Sequence, residues 1–187
     1  MFRVRRVIVG VSGSPGSLQA FRHAAGLALV HEAALVPVLA WQPPGGELAE
    51  RHQPSPQLHQ IWREAAWQRL WTAVDLAVGG VPAGLAFDPL VLRGEPGRVL
   101  VDTASEPGDV LVLGAGRRGM GRAFACRVSR YCVAHAQCPV VSVPPSPLAR
   151  LSHGLRGWAA GLALRRRGVR IGPAGPAGLP GLPAPGG

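Results

Sequence analysis

Short apolar runs alternate with longer stretches of helical period, and this alternation restricts the possible folds of the chain more than any other feature. The first run, Val7 to Val11, is rich in β-branched residues and is followed by the turn residues Ser12 to Gly16. Uninterrupted apolar runs of this length are typical of strands that are buried on both faces. Strands that alternate with helices predict an α/β fold, in which crossover helices flank a parallel sheet.

The same reading predicts five strands and four helices. Ser17 is predicted to be the N-cap of the first helix, which ends near His31. The remaining predicted strands are Ala34 to Trp41, Pro89 to Leu92, Asp109 to Leu113 and Pro139 to Val143, and the remaining helices are Gln57 to Val78, one from Pro96, and Val128 to Ala136. Trp62, Trp67 and Trp71 of the long second helix are expected to pack against the sheet or against a partner.

The bulk properties exclude several classes of protein. No apolar stretch approaches the roughly 20 residues that a membrane-spanning helix needs, and the apolar run near the N-terminus is too short for a signal peptide. We therefore expect a cytoplasmic protein. The cysteines Cys126, Cys132 and Cys138 match neither a CxxC motif nor an even-numbered disulfide framework, so buried or half-buried free thiols are expected.

The basic charge is concentrated at the end of the chain. All ten acidic residues and 14 of the 20 arginines lie before residue 149, whereas six arginines and no acid follow it. We predict one domain over residues 1–145 and a basic, Pro/Gly-rich tail over 146–187. The tail either is disordered without a binding role or forms a short amphipathic helix that contacts an anionic surface, and nucleic-acid binding is not expected.

Two glycine-containing loops are the candidate functional region. They follow the first and fourth strands, at Ser12 to Gly16 and from Gly114 to Arg127. In a doubly wound sheet, ligands bind at the carboxyl ends of the strands where the strand order reverses. Glycines allow the backbone to approach a ligand closely, and a helix N-terminus attracts phosphate. Alone, such loops are equally compatible with flexible turns.

Three segments around these loops favour phosphate binding over flexible turns. Gly94 to Pro96, Asp109 to Gly114 and Val128 to Val140 closely resemble the C-terminal half of the universal stress protein family, and Val7 to Ser17 resembles its first strand and loop. The resemblance spans about residues 3 to 144. It implies a five-stranded parallel sheet of order 3-2-1-4-5, which is Rossmann-like and similar to the adenine-nucleotide α-hydrolases, and a homodimer formed through the fifth strand.

The resemblance also implies an adenine-nucleotide site, because some members of the family bind ATP, with Mg²⁺ as the possible metal. Carried over position by position, the candidate nucleotide-binding residues are Val11, Ser12, Ala40, Leu113, Gly114, Gly116, Arg117, Gly119, Cys126, Arg127 and Val128. Ala40 stands where the family makes a main-chain contact to adenine, so its side chain is little constrained.

The chain departs from the family's ATP-binding pattern at three points. Ser12 replaces the Asp after the first strand, which weakens the expected anchoring of ribose. Gly114-x-Gly116 replaces G-x2-G, and Cys126-Arg127 replaces the Gly-[ST] pair, so the phosphate loop is degenerate. The arginines of this loop either hold an anion or form a solvated surface.

Two functions of different classes remain open. The chain is either a stress-response module that binds ATP at the strand 1/strand 4 switch point or a member of the family that acts through protein contacts without nucleotide. Catalysis is not expected, because the six histidines are scattered and the sequence has neither a G-x-S-x-G elbow nor a complete Walker motif.

Overall fold

The computed structural model describes residues 3–45, 55–81, 83–115 and 122–144, with the side chains of 122–126 left out of the description. Five strands and four helices lie in these ranges. In chain order they are β1 (Arg6–Gly10), α1 (Pro15–His31), β2 (Ala34–Trp41), α2 (Pro56–Val78), β3 (Leu90–Arg93), α3 (Pro96–Thr103), β4 (Asp109–Gly114), α4 (Arg122–His135) and β5 (Val140–Val143).

The five strands form one parallel sheet of order β3-β2-β1-β4-β5, which confirms the predicted fold class and strand order. In the central strand, Ile8 lies between Val36 of β2 and Leu111 of β4. The apolar run that predicted a strand buried on both faces is therefore the middle of the sheet.

Helices cover both faces of this sheet. Val7 of β1 packs with Phe21 of α1 on one face, where α2 also lies. Ile8 faces the other way and packs with Leu100 of α3 and Cys132 of α4. Four of these five side chains are 0% exposed, and Leu100 is 4% exposed. Each large apolar side chain buried in this way stabilises the fold by about 1.5–3 kcal/mol.

The start of α1 differs from the prediction. Ser14, and not Ser17, is the N-cap residue, with extended backbone angles and a side chain that accepts the N–H of Ser17 at 3.3 Å. Pro15 then occupies the first helical position, where its missing N–H costs nothing. The prediction that Ser17 caps the helix was wrong. Pro15 marks the first turn of the helix, so the residue before it, Ser14, is the cap. The predicted end at His31 is correct.

The last helix also begins earlier than predicted. α4 starts at Arg122 and not at Val128, so Cys126 and Arg127 are helical and do not belong to the loop after β4. This corrects the predicted loop, which ran from Gly114 to Arg127. β1 and β3 begin and end one residue away from the predicted bounds, β4 ends one residue later than predicted, and β5 begins one residue later.

An ion pair joins the amino ends of β1 and β4. Nε and Nη2 of Arg6 donate to the two carboxylate oxygens of Asp109, at 2.8 and 2.7 Å. Asp109 is fully buried and also accepts the N–H of Glu106 at 2.9 Å. The hydrogen bond to Asp109 raises the pKa of Arg6 above its ordinary value. This Arg6–Asp109 clamp connects residues that are 103 positions apart in the sequence.

The described cysteines are free thiols, as predicted. Cys132 is buried and Cys138 is half-buried. Burial, together with the neighbouring Cys138, raises the pKa of Cys132 to about 11. The side chain of Cys126 lies outside the described residues, as does the predicted tail over 146–187.

The tryptophans of α2 pack as expected. Trp62 and Trp67 are partly buried against the α1/α2 core, and Trp71 contacts Phe87 with ring centroids 6.0 Å apart. Within the described ranges, no helix combines the length and the apolar character that crossing a bilayer requires.

Candidate functional site

The strand order reverses between β1 and β4. The chain runs outward from β1 through β2 to β3 and then returns to place β4 on the other side of β1. In folds of this type, the crevice at the carboxyl ends of these two strands is the usual place for a ligand. We call it the β1/β4 edge; Val11 and Ser12 follow β1 there, and Leu113 and Gly114 end β4.

Serine hydroxyls hold the loop after β1 in place. Ser12 Oγ and Ser14 Oγ share a hydrogen bond at 3.0 Å, and the N–H of Ser12 donates to Ser17 Oγ at 3.2 Å. Ser17 Oγ in turn donates to the carbonyl of Ser14 at 3.0 Å. Between them, Gly13 has a φ of 74°, a backbone conformation that favours glycine. Ser12 thus presents an exposed, neutral hydroxyl at the β1/β4 edge.

The end of β4 lies directly against the first turn of α1. A Cβ at Gly114 would be 2.6 Å from both the carbonyl carbon and the carbonyl oxygen of Gly16, and 3.0 Å from the N of Ser17. Real Cβ atoms do not approach backbone so closely. Glycine at 114 is therefore required by the packing of β4 on α1, whether or not a ligand binds.

The predicted site residues lie in different parts of the fold. Val11 and Leu113 are buried, and Val11 is fixed by an N–H bond to the carbonyl of Val38 at 2.8 Å. Ala40 is half-buried one strand away, at the end of β2, on the face that α3 and α4 cover. The residues Gly116, Arg117 and Gly119 lie outside the described residues.

The three predicted positions in α4, Cys126, Arg127 and Val128, are helical. Val128 is half-buried against the α3/α4 core, and Arg127 is exposed. Of the predicted set, the structure brings together Val11, Ser12, Leu113 and Gly114. In the part of the chain that the structure describes, no three His, Cys, Asp or Glu side chains are grouped as a metal site would require.

A cavity elsewhere on the same end of the sheet was missed from the sequence. Its volume is about 460 Å³, and it lies between the carboxyl ends of β2 and β3 and the first half of α2. The side chains that give it chemical character are Trp41, His59, Arg63, Glu64, Trp67 and Arg93. We call it the Trp41 cavity.

Aromatic and cationic groups contact each other in its wall. The guanidinium carbon of Arg93 lies 5.9 Å from the ring centroid of Trp41, and the ring of His59 meets that of Trp41 edge-on with centroids 6.4 Å apart. Nη1 of Arg93 is 3.3 Å from Nε2 of His59. No short motif in the sequence joins these three residues, because they come from three different elements.

The fold and the β1/β4 edge define a doubly wound α/β protein of the kind that presents a ligand crevice at its switch point. The profile of the universal stress protein family matches residues 3–144, which is most of the chain. The chain belongs to the universal stress protein family. A comparison with curated protein sequences finds no significant match.

Two of the similar solved structures, with TM-scores above 0.5, agree on the fold. The hypothetical protein MJ0577 superposes with a TM-score of 0.61 at 13% identity, over 77% of this chain and 98% of that chain. The universal stress protein UspA from Lactobacillus plantarum gives a TM-score of 0.54 at 21% identity, over 75% of this chain and 98% of that chain. A universal stress protein in complex with cAMP is 23% identical over 77% of this chain and 99% of that chain, with a TM-score of 0.47.

Proposed function

We propose that this protein is a stress-response module that binds an adenine nucleotide, ATP in the first instance, at the β1/β4 edge. The observation that carries the proposal is the backbone contact of Gly114 with Gly16 and Ser17, which sets the end of β4 against the first turn of α1. A helix N-terminus at a switch point favours phosphate. The glycine at 114 has a packing role as well, so it supports the position of the site and not the affinity.

Ser12 determines how strongly a nucleotide is held. Hydrogen bonds to a carboxylate are about twice as strong as those between neutral groups. The hydroxyl of Ser12 is neutral, short and already bonded to Ser14. We therefore propose weak binding, with Mg²⁺ bound mainly through phosphate oxygens and water, as this ion prefers.

A second function is favoured by the same serine pair. Because the hydroxyls of Ser12 and Ser14 satisfy each other at 3.0 Å, the loop after β1 is closed by its own hydrogen bonds. Such a loop needs no ligand to be ordered. The alternative is therefore a module that acts through protein contacts without nucleotide.

Calorimetric titration with ATP and Mg²⁺ separates the two functions when it is performed on Ser12 variants. We expect Ser12→Asp to bind about tenfold more tightly than the natural protein, because a carboxylate can accept two strong bonds from the ribose hydroxyls. Ser105→Asp is the matched control, since Ser105 is exposed near the amino ends of the strands and the substitution adds the same charge.

Each outcome decides one point. Tighter binding by Ser12→Asp but not by Ser105→Asp supports the β1/β4 edge as the nucleotide site. Equal tightening or weakening by both variants would mean that the effect is one of net charge alone. If neither the natural protein nor Ser12→Asp binds ATP, the nucleotide function is refuted and the protein-contact function is favoured.

A homodimer through β5 belongs to the same proposal. β5 is an outer strand of the sheet, and outer strands offer unpaired backbone groups to a second chain. Lysine on such a strand discourages pairing, so Ser142→Lys should lower the dimer fraction in analytical ultracentrifugation. Leu92→Lys on β3, the opposite outer strand, should leave it unchanged; equal effects of the two variants would refute the assignment to β5.

The remaining parts of the proposal are a cytoplasmic location and a role without catalysis. Contact of the arginine-rich tail with an anionic surface, and the boundary of the domain at residue 145, stay predictions.

A further inference from the structure

We propose that the β1/β4 edge does not read the sugar of its nucleotide, so that it takes ribonucleotides and 2′-deoxyribonucleotides alike. The inference rests on the proposed function, because it concerns the ligand of the same site. The feature that carries it is the pair of hydroxyls on Ser12 and Ser14. Both side chains are exposed, and their oxygens share a hydrogen bond at 3.0 Å.

The sugar of a bound nucleotide lies next to this pair. A helix N-terminus at a switch point favours phosphate, and Pro15 is the first residue of α1. The sugar is joined to the first phosphate through one methylene group. It therefore lies beside residues 12–14, the loop that leads into this turn. The side chains of this loop that can form hydrogen bonds are those of Ser12 and Ser14.

Ser12 gains little from a sugar hydroxyl. A site built around a ligand hydroxyl rejects the analogue that lacks it by about 10⁴–10⁵, because buried polar groups are then left unpaired. Ser12 is not such a group. It is exposed, so water can take the place of the 2′-hydroxyl, and it has Ser14 as a partner in either case. A 2′-deoxy sugar therefore leaves Ser12 paired.

The backbone of the loop is also independent of the sugar. The N–H of Ser12 donates to Ser17 Oγ at 3.2 Å, and the N–H of Ser17 donates to Ser14 Oγ at 3.3 Å. Ser17 Oγ donates to the carbonyl of Ser14 at 3.0 Å. These bonds hold the loop in one conformation before a ligand arrives. Ribose thus orders nothing in it that deoxyribose would leave mobile.

A carboxylate at position 12 would behave differently. Hydrogen bonds to an ionised acceptor are about twice as strong as those between neutral groups. Each ribose hydroxyl that donates to the carboxylate then adds affinity, and 2′-deoxyribose offers one hydroxyl fewer. Ser12→Asp is therefore the variant in which sugar selectivity should appear.

Calorimetric titration of the full-length protein with ATP and with dATP, each with Mg²⁺, tests the inference. We expect the two dissociation constants of the natural protein to agree within about threefold. Ser12→Ala should keep this ratio, because its hydroxyl does not read the sugar. Ser12→Asp should bind ATP about three- to tenfold more tightly than dATP. Ser105→Asp, the matched control, adds the same charge at an exposed residue near the amino ends of the strands and should keep the natural ratio.

The outcomes separate this inference from the proposed function. If the natural protein binds ATP more than about threefold more tightly than dATP, the site reads the sugar; the inference is then overturned and the nucleotide function stands. If Ser12→Asp tightens ATP and dATP equally, position 12 does not face the sugar, which also overturns the inference. If neither nucleotide binds the natural protein or Ser12→Asp, the nucleotide function itself is refuted. Circular dichroism checks that each variant is folded.

Discussion

Gly114→Ala tests whether β4 and α1 are in contact as closely as the structure describes. The new Cβ would be 2.6 Å from the backbone carbon and oxygen of Gly16, and neither atom can rotate away as a side chain can. Either β4 or the first turn of α1 must shift by roughly 1 Å. Overpacking of this kind costs about 1–3 kcal/mol, whereas the entropic gain of alanine over glycine offsets about 0.5–1 kcal/mol.

The difference is a net loss of about 0–2.5 kcal/mol in the free energy of unfolding, with its centre near about 1 kcal/mol. In a chain of this size such a loss lowers the melting temperature by roughly 2–4 °C for each kcal/mol. The loss should appear without any nucleotide present, because its cause is packing.

Two other glycines serve as controls for the same substitution. Gly26 is exposed within α1 and a Cβ there meets nothing within 4 Å, so Gly26→Ala should stabilise the protein by about 0.5–1 kcal/mol. Gly16→Ala places its Cβ 3.5 Å from the carbonyl oxygen of Ala115, which is an ordinary contact. Its effect should stay within about 0.5 kcal/mol.

Urea unfolding followed by far-UV circular dichroism gives the three values on one scale. The expected order of stability is Gly26→Ala, then Gly16→Ala, then Gly114→Ala. If Gly114→Ala is as stable as the natural protein, β4 and α1 are not in backbone contact. The position of the nucleotide site would then lose its main support.

Three further predictions concern the clamp, a buried thiol and a helix cap. Arg6→Met leaves the buried carboxylate of Asp109 without its cation and should cost about 3–5 kcal/mol, whereas Asp109→Asn should cost clearly less; similar losses in urea unfolding would contradict the clamp. Burial raises the pKa of Cys132 from 9.0 to about 11, so the folded protein favours the neutral thiol. The contribution of this thiol to the free energy of unfolding is therefore complete below about pH 9 and is lost as the pH rises to 11. Between about pH 9 and 11 the natural protein should therefore lose roughly 2–3 kcal/mol of unfolding free energy that Cys132→Ala does not lose. Parallel curves of stability against pH for the two proteins would contradict this prediction. Ser14→Ala should lower the unfolding free energy by about 1 kcal/mol through loss of the α1 cap, whereas Ser14→Asp should retain stability in the same urea unfolding; equal stability of the two variants would refute capping by this side chain.

The sheet could be predicted from the sequence because its strands carry strong local signals. The apolar runs of β1 and β4 are buried on both faces, so their patterns are continuous and easily recognised. Helix starts were harder to predict. Ser14 and Ser17 are both plausible caps by residue type, and only the position of Pro15 distinguishes them. The start of α4 at Arg122 was missed because glycines precede it closely, although alanine and phenylalanine at 123–125 permit a helix.

The candidate site could be predicted only in part. The structure brings Val11, Ser12, Leu113 and Gly114 together, because the carboxyl ends of neighbouring parallel strands lie side by side; their role in nucleotide binding stays a prediction. The Trp41 cavity was not predictable in this way. It depends on the distance between the side chains of Trp41, His59 and Arg93, and their sequence separation carries no periodic signal.

The Arg6–Asp109 clamp has a consequence for how the protein is made on the ribosome. β1 is the middle strand of the sheet, yet its partner β4 is synthesised about a hundred residues later. At typical rates of synthesis, one edge of β1 therefore stays open on the nascent chain for about 5–20 s. Open apolar strand edges recruit other chains. β4, which begins at Asp109, closes that edge when it is synthesised and places a buried carboxylate against Arg6. A nascent chain that stops before residue 109 therefore has β2 on one side of its central strand and no β4 on the other.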